Sequence, residues 1–166
     1  MGMTFTIRRA EPLDLETVGR LTLRAYVDGG HLHPESAYGS TLVNARARSE
    51  AAELWVAVGS ADGTVLGTVT LAAPGSSFNE VSEPGEAEVR MLAVSPESQG
   101  GGVGEALMRQ CVVRARELGL RALALSTQPG MHAAHRIYER MGFVRTPDRD
   151  WSPLPGVDLI TYRLEL

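Results

Sequence analysis

The sequence predicts an α/β fold: a mixed central sheet of about seven strands flanked by about four helices. Three observations lead there. Short segments that alternate at period two, or are apolar throughout, are interleaved with segments whose apolar residues recur at helical spacing. Asp62-Gly63 sits between two strand-like runs and reads as a hairpin turn. Residues 86–117, EAEVRMLAVSPESQGGGVGEALMRQCVVRARE, set a strand, a turn, a glycine-rich opening and a long amphipathic helix in direct succession.

Taken in order, residues 4–8 alternate as a short strand. Glu11-Pro12-Leu13-Asp14 opens a helix, because Pro fits the first turn and acids complement its partial positive charge. Leu15, Val18, Leu21, Thr22 and Ala25 carry its apolar stripe. Residues 28–39 are a polar loop, and a weakly amphipathic second helix covers 41–52. A buried strand (54–58), the hairpin turn and a returning strand (64–73) follow, then a long polar connection over 74–85.

The central unit starts with a strand over 88–94, in which period two puts Glu86, Glu88, Arg90 and Leu92 on one face. Its helix carries Val103, Leu107, Cys111, Ala115 and Leu118 along one stripe and stops at Gly119. Residues 122–126 are a buried strand, 132–141 a helix closed by Gly142, and 143–145 another strand. A loop over 147–156 leads to a last strand at 158–166. The order is β-α-α-β-β-β-α-β-α-β-β, with no internal repeat and no linker, which suits a single domain over 1–166.

Composition narrows the function. The chain has 166 residues, 43% hydrophobic and 22% charged, with a net charge of −4, so it has the balance of a soluble globular protein and no basic footprint for nucleic acid. All 16 basic residues are Arg, which excludes Schiff-base and lysine-nucleophile chemistry. The one cysteine, Cys111, allows no internal disulfide and lies on an apolar stripe, as an inert core thiol does. No apolar run is long enough to span a membrane, and the N-terminal MGMTFTIRRAEP has the wrong charge order for a secretory signal, so a cytoplasmic protein is expected. His31 and His33 lie in the polar loop; His132 and His135 share a helix face and read as solvated, and neither pair makes a metal site.

The chemistry centres on Gln99-Gly100-Gly101-Gly102-Val103-Gly104. The first turn of a helix leaves N–H groups without acceptors, and the helix dipole adds positive charge there, so a glycine-rich entry suits a phosphate. The spacing is not the G-x-G-x-x-G of dinucleotide folds, and a Walker loop needs the Lys that this chain lacks. A purely structural loop is the alternative.

Gln99-x-x-Gly102-x-Gly104 resembles the acyl-CoA pyrophosphate loop of the GNAT acetyltransferase superfamily, [R/Q]-x-x-G-x-[G/A]. Leu92-Ala93-Val94-Ser95-Pro96 is similar to the L-x-V-x-P strand that precedes it, and residues 134–143, AHRIYERMGF, match the family's A-x-x-x-Y-E-x-x-G-F at every specified position. One departure is Met131, where many relatives carry Asn seven residues before the Tyr. The resemblance implies a GNAT-like acyl-CoA N-acyltransferase fold whose neighbouring strands 88–94 and 122–126 splay to admit the pantetheine arm of acetyl-CoA, the cosubstrate. It implies that the backbone of Leu92, Ala93 and Val94 pairs with that arm, that Val94 N–H polarises the thioester carbonyl, and that Gln99, Gly100, Gly101, Gly102, Val103, Gly104 and Ala134 hold the cofactor.

It also implies that Tyr138 protonates the departing thiolate. A phenol of pKa about 10 suits a thiolate of pKa about 8.5; the alternative is an aromatic that only fills the helix–sheet contact. Glu88 would take the proton of the acceptor amine, or else pair with Arg90, Arg8 or another Arg. The acceptor, an amine of a small molecule or peptide, would meet Tyr26, Tyr38 and Trp151 with the acids Asp28, Asp148 and Asp150, a setting for a cationic or amphipathic amine. No nucleophile is placed for an acyl-enzyme, so direct attack in a ternary complex is expected. The competing readings are a non-catalytic acyl-CoA sensor of the same fold, and an enzyme that acylates a hydroxyl or a protein N-terminus or uses a longer acyl group. Homodimers are common in the family, and a homodimer is a possibility here too.

Overall fold

Strand β4 (Glu86–Val94) is the middle strand of the sheet, and the computed structural model, which describes residues 4–166, is arranged around it. The chain runs β1 (Phe5–Arg9), α1 (Leu15–Asp28), α2 (Gly39–Val43), α3 (Ala45–Ala51), β2 (Glu53–Gly59), β3 (Val65–Ala72), β4, α4 (Val103–Glu117), β5 (Ala122–Thr127), α5 (His132–Arg140), β6 (Val144–Arg145), β7 (Trp151–Leu154) and β8 (Val157–Glu165). The sheet order is β1-β2-β3-β4-β5-β8-β6, with β7 paired to β8 off that path. Among the described residues only β4 and β5 run parallel; every other pairing is antiparallel.

Three elements differ from expectation. Glu11 and Asp14 close a capping box around a single 3-10 turn (Pro12–Asp14), so α1 begins only at Leu15. The second helix breaks at Asn44, whose backbone leaves the helical region (φ −81°, ψ 70°) while its side chain accepts from Ala47 N–H at 3.1 Å and caps α3. Trp151–Leu154, expected as loop, forms β7, which turns back onto β8 through Gly156 at φ 82°. Residues 1–3, the start of the stretch weighed as a secretory signal, lie outside the described residues. Among the described residues no helix is long and apolar enough to cross a membrane.

Each face of the sheet has its own core. Val103, Leu107, Met108, Cys111 and Ala115 of α4 pack with Val69, Leu71, Ala87, Val89, Leu123 and Leu125 on one side. On the other, Val18 and Leu21 of α1 and Ala45 of α3 pack with Leu54, Val56, Val58 and Val65. Full burial of such a side chain contributes about 1.5–3 kcal/mol, so these two stripes set the sheet between its helices.

A bulge in β4 divides that strand. Thr70 pairs with Arg90 and Thr68 with Ala93, so Met91 and Leu92 together oppose one residue of β3, and Met91 takes φ 54°. Before the bulge Ala87 and Val89 face the α4 core; after it Leu92 and Val94 do, and Ala93 joins the α1 side. The expected shared face of Glu86, Glu88, Arg90 and Leu92 therefore ends at Arg90.

Candidate active site

The ladder between β4 and β5 runs from Glu86 opposite Ala122 to Val89 opposite Leu125 and stops there. Beyond it β5 stays on β8, with Ser126 opposite Thr161 and Thr127 opposite Ile160. β4 bulges and follows β3 instead. The two parallel strands thus separate, and residues 90–94, which include Leu92, Ala93 and Val94, have no strand on their β5 side among the described residues. A free sheet edge is a template for an extended amide-bearing ligand.

The same strand leads through a 3-10 turn (Pro96–Ser98) into the glycine loop. Gly100 and Gly102 both take φ 83°, and a Cβ on either would meet no atom within 4 Å. Glycine is needed there for the left-handed backbone and not for space. Gly102 is the N-cap of α4 and has no side chain to cover the helix end; the first helical bond is Ala106 N–H to Gly102 O at 3.1 Å. The N–H groups of Val103, Gly104 and Glu105 therefore point out of the helix unmatched. Gly104 is constrained differently, since a Cβ would lie 3.0 Å from Ile137 Cδ1 on α5. Gln99 is exposed on the same loop, and Ala134, on α5, packs against the α4-side core.

Tyr138 is buried in that core, its ring 5.7 Å from Phe143 and 5.7 Å from Tyr162. Burial pushes its phenol above the ordinary range, so it stays protonated. Tyr162 beside it donates to Glu139, whereas the Tyr138 hydroxyl has no hydrogen-bond partner among the described residues. Cys111 is fully buried and burial raises its thiol to about 12, which leaves it inert.

On the α1 side lies a cavity of about 700 Å³, walled by the loop after α1, by β4, by the end of β5 and by the β7–β8 hairpin. Tyr26, Tyr38 and Trp151 line it, as do His31 and His33. The acids expected beside them do not: Asp28 pairs with Arg24, Asp150 with Arg145, and Asp148 is exposed outside the cavity. Local ion pairs hold two of these acids elsewhere. The acids that do line it are Glu80, Glu88 and Asp158.

Glu88 is buried, and it pairs with neither Arg90 nor Arg8. Its Oε1 accepts three backbone N–H bonds, from Glu80 and Val81 at 2.8 Å and Ser82 at 3.0 Å. The lone pairs of that oxygen are committed to donors, so Oε2 is the oxygen available to the cavity. Sequence gave no sign of this cradle, because its donors come from the patternless connection 74–85.

His135 corrects the reading of a solvated helix face. It is buried, with Nε2 3.2 Å from Thr127 Oγ1 and 3.0 Å from the Gln128 carbonyl, and burial lowers its pKa. It orders the end of β5, while Trp151 Nε1 donates to Ser126 Oγ at 2.9 Å and ties the β7 hairpin to the same strand. Among the described residues no group of three or more His, Cys, Asp or Glu is placed to hold a metal ion.

The Acetyltransferase (GNAT) family profile matches residues 16–143. A mycothiol acetyltransferase of Cellulomonas flavigena is 31% identical over 156 residues, covering 85% of this chain and 42% of that protein. The chain spans about two fifths or less of the length of the mycothiol acetyltransferases it matches. A GNAT-family acetyltransferase from Staphylococcus aureus Mu50 superposes at TM-score 0.78 with 15% identity, over 98% of this chain and 99% of that one. A GNAT-family acetyltransferase from Brucella melitensis, solved in complex with acetyl-CoA, superposes at TM-score 0.63 with 25% identity, over 86% of this chain and 84% of that one.

Proposed function

Since the chain belongs to the GNAT family of acetyltransferases, we propose that it transfers an acetyl group from acetyl-CoA to the amine of a small molecule or peptide, by direct attack in a ternary complex. One observation carries the reading: the free β4 edge beyond Val89 leads without interruption into the unmatched N–H groups at the start of α4. An extended amide chain that ends in a pyrophosphate matches those two features in that order. The backbone of Leu92, Ala93 and Val94 would hold the pantetheine arm. Gln99 and Gly100 to Gly104 would hold the pyrophosphate, with Ala134 beside them.

The amine must be neutral to attack, and Glu88 Oε2, directly or through a water, takes its proton. The N–C bond then forms as the C–S bond breaks. Tyr138 gives its proton to the sulfur, for which a phenol that stays protonated at neutral pH is suited, and the proton that the acylated nitrogen then sheds restores the phenol. Val94 N–H supports the carbonyl oxygen as it gains charge.

Calorimetric titration with acetyl-CoA, followed by a thiol-release screen of amines, tests the proposal. Binding together with release supports it. Binding without release from any amine class argues for a site that holds acyl-CoA without catalysis, and no binding removes the proposal.

A further inference from the structure

We propose that the acceptor carries a carboxylate beside its amine, as an α-amino acid with an apolar side chain does, and that Arg90 binds that carboxylate. This rests on the acetyltransferase reading and names the acceptor class for the same cavity. Arg90 lies two residues after Glu88, on the same face of β4 before the bulge, and both line the cavity. Same-face neighbours on a strand stand about 6.6 Å apart at their Cα atoms, a span two long side chains can close around a zwitterion.

Arg90 is held in place by neutral groups. Its Nη1 donates to the Phe78 carbonyl at 3.0 Å and its Nη2 to the Tyr38 hydroxyl at 3.2 Å. The nearest carboxylate oxygen, Glu80 Oε1, is 3.9 Å away on an exposed side chain. A guanidinium has five donors, so Arg90 keeps hydrogen bonds to give.

A second cation is buried between α1 and the α2–α3 break. Arg48 is fully buried, and its Nη1 donates to the carbonyls of Thr41 and Leu42 at 3.0 and 2.9 Å. Its Nη2 donates to Thr22 Oγ1 at 3.5 Å and its Nε has no partner among the described residues. Burial lowers it to about 10, so it remains charged at neutral pH, and it and Arg90 feel each other's charge. By contrast, Arg149 and Arg163 each meet Glu86 at 2.7 Å. Of the acids lining the cavity, Glu88 is engaged by three N–H groups and Asp158 by Ser152 Oγ at 2.6 Å, which leaves Glu80 as the loose one. On a chain of net charge −4, the wall of this cavity holds Arg90 with only the exposed Glu80 at 3.9 Å as an ion-pair partner among the described residues, and Arg48 is buried outside the lining. Met91, Met131, Trp151, Leu154 and Leu159 supply the apolar surface for a side chain.

The test compares L-leucine, L-methionine and L-phenylalanine with their amides and their decarboxylated amines, by thiol release from acetyl-CoA. The wild-type protein should prefer at least one acid over its amide and amine by about 100-fold in kcat/KM, the scale of one charge-assisted pair left unmade. Arg90→Gln should raise KM for the acid about 30-fold and cut that preference to about threefold, and Arg90→Lys should restore part of it. Should the Arg90 variants not fold, the acid–amide comparison on the wild-type protein decides alone. Equal or better turnover of amides or amines overturns this inference and leaves the acetyltransferase reading standing, as does a preference unchanged in a folded Arg90→Gln. Failure to bind acetyl-CoA, or to release thiol with any amine, overturns both.

Discussion

Arg163 on β8 reaches across β5 to Glu86 on β4, its Nε 2.7 Å from Glu86 Oε2. Ala122 and Ala124 lie between them in register, and these small side chains leave the passage open. Arg149, in the turn before β7, completes the cluster with Nη1 2.7 Å from Oε1. Glu86 is fully buried, and one carboxylate thereby joins the sheet centre to the loop that leads into the cavity-lining hairpin.

Burial alone would raise the Glu86 pKa, but the hydrogen bonds of Arg149 and Arg163 outweigh it and bring the group to about 2. Its folded value thus lies below its unfolded one. The stabilisation is present in full above the ordinary carboxylate range and is lost as pH falls through that range towards 2. The shift corresponds to roughly 3 kcal/mol. Glu86→Gln should cost about 3 kcal/mol at pH 7 and flatten the acid limb of stability, as urea melts between pH 7 and pH 3 would show. A variant whose loss is the same at both pH values would contradict this.

Glu88→Gln retains an oxygen for the three N–H donors but cannot take a proton. It should lower kcat/KM about 100-fold while the melting temperature changes little. An unchanged rate, at a pH where the amine is mostly protonated, would assign Glu88 to holding the loop alone.

Tyr138→Phe keeps the ring between Phe143 and Tyr162 and removes only the hydroxyl. The expected result is a drop in kcat of about 100-fold with acetyl-CoA affinity retained. Turnover at the wild-type rate would leave Tyr138 as a core aromatic.

Gly102→Ala places a side chain in open space but on a left-handed backbone, at a cost of about 1–2 kcal/mol. The loop should relax away from φ 83°, and acetyl-CoA should bind about tenfold more weakly by calorimetry. Equal affinity would mean that the start of α4 does not contact the pyrophosphate.

Much of this was legible because it is local. Strand and helix periods located β1 to β5 and both long helices, and the glycine loop was visible as a motif because its backbone requirement is written in residue type. β7 was not, since Pro153 and Gly156 read as loop until Trp151 is seen anchored on Ser126. The cavity's acids were misassigned for the same reason: Asp150 is drawn to Arg145, a pairing that depends on how β6 meets β8. His135 looked solvated because the Thr127 and Gln128 groups that bury it come from the preceding strand and its loop.

The bulge at Met91 also sets how this strand can vary in length. Removing one residue at 91 or 92 would restore strict alternation and leave Val94 on the α4 side, but it would take out the extra residue that bends β4 away from β5, and the free edge beyond Val89 with it. Insertions in 74–85 touch no bulge, although the N–H groups that hold Glu88 restrict them to its first half, before Glu80. Length change should therefore be tolerated upstream of β4, whereas within it the cost falls on the opening between β4 and β5.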